Sequence, residues 1–398
     1  MNLIKGEKLD LTGYETETLV NATKDQINEK YIKGEVRIIT EQARYPLTAI
    51  VGMVESEDYA LNPEFQRRHR WNNIQKSKLI ESFIMNVPIP PIFLYEDKFS
   101  HYEVMDGLQR MTAIYEFYKD KFELEGLDEW KELNGKRYSE LPVQVKKGVD
   151  RRYLSSIILL QETAKTELEA NRLKQLVFER INSGGVKLEP QETRNAIFNG
   201  DLNQLCLKLS RNTNLCKLWD IPLPDSEEVE YGIFSDELRS TPAFAKMEDV
   251  ELVLRFFANR QRAELFKGTR FRDYLDFYLK HGNEYSTETL QSLESLFLDT
   301  LSFIYELFGE KAFWLYRRRN GSWNWYSRPT TAVFDILTQV ASEYLPHKEK
   351  ILEQALTIDS QMEEFYKNNY DSFEGRNTNA SVIVVREQLF NDLFKSWL

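Results

Sequence analysis

The stretch VPIPPIFLYED, residues 87 to 97, carries Pro88, Pro90 and Pro91 directly after a helical pattern and directly before an apolar run. Proline has no N–H to donate and its ring clashes with the preceding turn, so a helix cannot pass through this stretch. The helix that must stop here is NNIQKSKLIESFIMN, whose apolar residues recur at 74, 79, 80, 83 and 84. The short run Ile92 to Tyr95 then reads as a strand, Glu96-Asp97 as a turn, and HYEVM as a second strand. A chain made to change from helix to strand at this spacing mixes α and β structure and is not a helical bundle.

The neighbouring segments continue the alternation. YPLTAIVGMVES spaces Leu47, Ile50, Val51 and Val54 as a helix, with Pro46 suited to its first turn. MTAIYEFYKDKF puts Met111, Ile114, Tyr115 and Tyr118 on one helical face, and YLSSIILLQE reads as a buried strand. A helix over about 166 to 181 stops at NSGG, where glycine tolerates a left-handed cap, and another restarts at Pro190 in LEPQETRNAIF. From about residue 200 onward the pattern is mainly helical, as in DVELVLRFFANR and LESLFLDTLSFIYELF. Residues 1 to 40 are polar and weakly periodic, and read as a poorly anchored arm. The expectation is an α+β protein with an arm at 1–40, a mixed α/β domain at 41–200 and a helical domain at 201–398.

The net charge of −11 argues against coating nucleic acid by bulk electrostatics, so any such contact must be local. Basic runs do occur: RRHR at 67–70, KKGVDRR at 146–152 and RRRNGSWNWYSR at 317–328. No apolar stretch is long enough for a membrane span and the N-terminus lacks a signal-peptide core, which makes a cytoplasmic protein without membrane contact the simplest expectation. Cys206 and Cys216 stand apart from any CxxC or histidine pair and are expected as free thiols. Glu129-Trp130-Lys131 fits a Glu-x-Lys nuclease pattern only formally, as so short a match arises by chance.

Between the strand and the helix of YEVMDGLQRMTAIYEF lies a turn rich in polar donors. A helix beginning right after a strand aims its unsatisfied N–H groups and the positive end of its dipole beyond the turn, which suits an anion. Gly107 permits close backbone approach, Arg110 can fork onto phosphate oxygens, Asp106 can hold a metal ion or orient water, and Gln109 is both donor and acceptor. On spacing alone the plainer reading, an Asp-Gly turn with Asp106 as a helix cap, is favoured. FQRRHRW adds Gln66, Arg67, Arg68 and Arg70 beside Trp71, whose ring is expected to pack inward. Asn182 in FERINSGG is equally well read as a site residue or as a helix cap. In RRRNGSWNWYSR, Arg317, Arg318 and Arg319 with Trp323 and Trp325 suit phosphate contact and base stacking. The competing and favoured reading has the tryptophans capping a helical core.

Taken together, NPEFQRRHRW, LIESFIMNVPIPPIFLY, YEVMDGLQRMTAIYEF and VFERINSGGVKLEPQETRNAIF resemble, in order and spacing, the N-terminal domain family of GmrSD-type modification-dependent restriction endonucleases. The resemblance covers roughly residues 40 to 200. It implies a ParB/sulfiredoxin-like fold that binds a nucleoside triphosphate. The family's Asp-Gly-Gln-Gln-Arg motif falls on Asp106, Gly107, Leu108, Gln109 and Arg110, and its Phe-Gln-Arg motif on Phe65, Gln66 and Arg67. Leu108 replaces the usual first glutamine, and Arg68 and Arg70 make the second motif more basic than is typical. Full-length relatives carry a His-Asn-His-type nuclease module, but His69, His101, His281 and His347 are scattered and do not form one.

The resemblance thus implies a triphosphate-binding and hydrolysing component of a DNA-restriction or phage-defence system. Gln66, Arg67, Gly107, Arg110 and Asn182 would bind the nucleotide, while Asp106 and Gln109 would act on a divalent cation, magnesium, and on water. DNA cleavage would then belong to a nuclease partner or have been lost, and the oligomeric state stays open. Two alternatives stand: a metal-dependent DNA nuclease acting from the same pocket through Asp106, and a non-catalytic DNA-binding regulator or scaffold.

Overall fold

The computed structural model describes residues 3–9, 23–33, 38–61, 71–160, 173–174, 176–178, 180–181, 189–231, 234–265, 270–319, 321–373 and 380–398. Its contacts divide into two compact units, residues 15–188 and residues 189–398 together with residues 1–14. The α+β class holds, with a mixed sheet in the N-terminal unit and helices dominating the C-terminal one.

In the N-terminal unit the described elements are α1 (Lys24–Lys33), β1 (Thr40–Pro46), α2 (Leu47–Glu55), β2 (Tyr59–Ala60), α3 (Asn73–Met85), β3 (Ile92–Lys98), β4 (His101–Asp106), α4 (Leu108–Tyr118), α5 (Val143–Asp150) and β5 (Tyr153–Leu159). The sheet runs β1-β5-β3-β4-β2. β1 is antiparallel to β5, β3 is parallel to β5 and antiparallel to β4, and β2 is parallel to β4. Ile50, Ile80, Ile92, Leu94, Met111, Ile114, Phe117 and Leu154 form the centre of its core, with Trp71 packed against the margin as expected.

Three local outcomes differ from the sequence reading. β1 was not visible because an edge strand reading TEQARYP, mostly exposed, has no apolar alternation. Pro46 precedes α2 as its N-cap residue, with φ −52° and ψ 141°. β3 runs through Glu96-Asp97 to Lys98, with a register shift between Glu96 and Lys98, so the turn falls later, where Ser100 adopts φ 57°. The basic run at 146–152 is partly structural: Arg152 donates from Nε to the Phe83 carbonyl at 2.9 Å and from Nη2 to that of Ile84 at 3.3 Å, satisfying the end of α3.

The C-terminal unit includes α6 (Pro190–Ile197), α7 (Glu248–Asn259), α8 (Phe271–Gly282), α9 (Thr287–Phe308), the hairpin β6 (Leu315–Arg319) and β7 (Ser322–Tyr326), α10 (Thr331–Glu343), α11 (Ile358–Asn368), α12 (Tyr370–Phe373) and α13 (Ala380–Lys395). Residues 3–9 do not behave as a poorly anchored arm. The Glu7 carboxylate is fully buried and accepts from Arg260 Nε at 2.6 Å and Nη2 at 2.9 Å. The Glu7 carbonyl accepts from Gln261 Nε2 at 2.7 Å and from the Tyr285 hydroxyl at 2.6 Å. A buried bidentate pair fixes a segment that its polar composition alone leaves unplaced. Cys206 and Cys216 are buried thiols not joined in a disulfide, and burial pushes the Cys206 thiol up. Among the described residues no helix is long and apolar enough to cross a membrane.

Candidate functional site

The turn between β4 and α4 is fixed by its glycine. Gly107 takes φ 94° and ψ 8°, and its carbonyl accepts the first helical bond, from Met111 N at 3.0 Å. A Cβ at this position would come within 2.3 Å of Ile92 Cγ2 and 2.9 Å of Ile92 Cβ. Backbone conformation and the packing of Ile92 therefore both demand glycine.

Asp106 and Arg110 face each other across that turn. Arg110 Nη2 donates to Asp106 Oδ2 at 2.5 Å, and Nη1 donates to the Pro91 carbonyl at 3.2 Å and to the Pro90 carbonyl. The prolines that stop α3 thus leave carbonyls for the arginine, a role the sequence reading missed although the proline cluster was its signal. The Arg110 side chain is 11% exposed and that of Asp106 is 36% exposed, so the carboxylate is the accessible half of the pair. Gln109 Oε1 accepts from the backbone N–H of Trp71 at 3.1 Å. This bond ties the end of the arginine-rich segment to the first turn of α4, although 38 residues separate the partners.

Asp106, Gly107, Gln109 and Arg110 are therefore gathered at one strand–turn–helix joint. Gln66, Arg67 and Asn182 lie outside the described residues. β4 is irregular at Met105, so Asp106 and Glu103 face the same way, opposite Phe93 and Tyr95 of β3; Glu103 pairs with Lys174, whose ammonium lies 5.6 Å from the centre of the Tyr95 ring. Among the described residues no three His, Cys, Asp or Glu side chains are grouped to hold a metal ion. A single carboxylate still suits magnesium carried in by phosphates, because that ion is usually held by one or two carboxylates plus the phosphates themselves.

The basic stretch forms the hairpin β6–β7, a form not foreseen, and its tryptophans do lie over helices, as the favoured reading had it. Tyr316 pairs with Trp325 and Arg318 with Trp323 across it. Trp323 stacks on Tyr316 at 5.7 Å and meets Tyr370 edge-on at 5.3 Å, while Trp325 meets Tyr316 at 5.3 Å and Tyr366 at 6.1 Å. Both indoles are engaged with tyrosines of the same unit, whereas Arg318 and Arg319 are exposed and Arg317 is half-buried.

The mixed sheet and its polar strand–turn–helix joint define an α+β domain of the kind the sequence motifs led one to expect. The family model for the GmrSD restriction endonuclease, N-terminal domain, matches residues 49–199, and this segment of the chain belongs to that domain family. No curated protein and no solved structure matches the chain.

Proposed function

We propose that the N-terminal unit binds a nucleoside triphosphate with magnesium at the β4–α4 joint and hydrolyses it, as one component of a DNA-restriction or phage-defence system whose DNA cleavage resides in a nuclease partner. The observation that carries this reading is the Asp106–Gly107–Arg110 joint inside a segment of the GmrSD N-terminal domain family. The start of α4 offers N–H groups without helical acceptors, and Arg110 lies in its first turn. Asp106, the more exposed partner, would hold the magnesium ion, which supplies charge neutralisation at the phosphates. Gln109 would orient water with its amide group while its carbonyl holds Trp71. Gln66, Arg67 and Asn182 would complete the nucleotide contacts, and Arg318 and Arg319 would reach DNA phosphates.

One observation favours a second reading, a non-catalytic DNA-binding regulator in which the joint is purely structural: Arg110 already donates to Asp106, Pro90 and Pro91. Calorimetry with a panel of nucleoside triphosphates, with hydrolysis and plasmid cleavage followed in parallel, separates the two. The first reading expects Arg110→Ala to weaken binding of one nucleotide by about 1.5–3 kcal/mol, the range for hydrogen bonds to charged groups. If no triphosphate binds the parent chain, or if Arg110→Ala leaves affinity unchanged, the joint is structural.

A further inference from the structure

The helical unit contains positive charge that, among the described residues, no carboxylate matches. Arg386, on α13, is 2% exposed; its Nε donates to the Ser372 carbonyl at 2.7 Å and its guanidinium lies 5.4 Å from the centre of the Phe373 ring. Tyr366, on α11, is 1% exposed and meets the same Phe373 ring edge-on at 5.1 Å. Its hydroxyl is buried without a hydrogen-bond partner. Arg317, on β6, sits 5.6 Å over the Tyr326 ring, and its Nε is likewise buried without a partner.

The three groups lie close together: Tyr366 and Arg386 share the Phe373 ring, and Tyr366 meets Trp325 of the hairpin that carries Arg317 at 6.1 Å. Burial raises the Tyr366 pKa while both guanidinium charges oppose that rise, and burial and then the Arg317 charge lower that of Arg386. Among the described residues neither guanidinium is paired with a carboxylate. Glu363, on the same helix as Tyr366, is engaged with Lys367 at 3.9 Å and with the Tyr316 hydroxyl. Two like charges and an unsatisfied hydroxyl in a dry setting are costly unless something accepts their hydrogen bonds.

We propose that Arg317, Arg386 and Tyr366 form an anion site for a phosphate group, whose oxygens accept from both guanidiniums and from the Tyr366 hydroxyl. A tetrahedral dianion matches two positive charges and offers acceptors in several directions at once, which a flat carboxylate does not. The phosphate comes either free or as the terminal group of a nucleic-acid strand.

The test is calorimetric titration of the full chain with inorganic phosphate at constant ionic strength, repeated on Tyr366→Phe and Arg317→Gln. Tyr366→Phe keeps the ring against Phe373, and Arg317 is only half-buried, so both variants should fold. Saturable binding weakened about tenfold by each variant is expected. Absence of saturable binding, or binding that both variants leave unchanged, overturns the site, and the second outcome assigns the phosphate to another part of the chain. A 5′-phosphorylated oligonucleotide and its 5′-hydroxyl twin form the second arm. Competition by the phosphorylated strand alone identifies a nucleic-acid end as the source, and binding of inorganic phosphate alone identifies the free ion; either supports the site.

Discussion

The two units satisfy buried charge in different ways. In the N-terminal unit several charged side chains turn to the backbone, alone or beside a charged partner: Arg110 to the carbonyls of Pro90 and Pro91 as well as to Asp106, Arg152 to those of Phe83 and Ile84, and buried Glu81 to the N–H groups of Glu129 at 2.8 Å and Trp130 at 3.0 Å. In the C-terminal unit charged side chains turn to each other: Glu7 to Arg260, Arg255 to Asp335, and Arg194 to Asp276 at 2.6 Å and Glu251 at 2.8 Å. The difference follows from the elements. A small sheet with irregular crossings leaves many backbone groups unpaired, whereas helices consume theirs internally except at the ends. Charge buried between helices therefore has to find opposite charge, and Arg317 and Arg386 stand out because, among the described residues, neither is paired with a carboxylate.

The largest effect should come from cutting one of the side-chain pairs. Glu7→Ala removes the buried carboxylate that accepts from Arg260 Nε and Nη2 and should lower unfolding free energy by about 3–5 kcal/mol, measured by urea denaturation. A loss below about 1 kcal/mol would mean that water reaches Arg260 and that the contrast between the units is overstated.

Gly107→Ala tests the N-terminal unit where backbone shape holds the charges in place. The left-handed backbone alone costs roughly 1–2 kcal/mol for an L side chain, and Ile92 must also move, so a loss above about 2 kcal/mol is expected by the same assay. A neutral result would show that the joint relaxes, and Arg110 would no longer be held by it.

The smallest effect sharpens the comparison through pH. Burial acts to raise the Glu81 pKa, but the backbone donors of Trp130, Glu129 and Asp128, with Lys78, outweigh it and hold the carboxyl below its usual value. A depressed carboxyl stabilises the fold above its unfolded pKa, and this contribution disappears as pH falls through the folded value. Glu81→Gln should therefore cost only about 1 kcal/mol at neutral pH, since its amide oxygen can still accept, and should flatten the acid limb of the stability curve. Parallel acid limbs in parent and variant would remove Glu81 from the pH dependence.

Much of the N-terminal unit was legible because its signals are local. The prolines at 88–91 stop α3, and the apolar spacing of α2, α3 and α4 is strong. The joint itself was legible as Asp106-Gly107, and its plain reading as a turn agrees with the demands of Gly107, but Asp106 does not cap α4: Gly107 holds the N-cap position without a side-chain cap bond, and the Asp106 carboxylate accepts from Arg110 instead. What sequence could not supply was the partner of each charge: Glu7 and Arg260 are 253 residues apart, and no local pattern predicts such a pair. The β6–β7 hairpin was missed for a different reason. Asn320-Gly321 between alternating runs is a strong hairpin signal, but attention to the arginines as ligands and to the tryptophans as a cover for a helical core obscured the period of two.

Helix α6 lies inside the 49–199 family segment, yet the groups that neutralise its Arg194 sit at positions 251 and 276. The inherited segment and the mechanically complete piece therefore do not coincide. A fragment ended at residue 199 would carry an arginine stripped of both counter-ions, and grafting the segment onto a foreign C-terminal half would succeed only if that half brought carboxylates to the same two places. A crossover placed at the end of this segment must therefore also keep the acidic residues 57 and 82 positions downstream of Arg194.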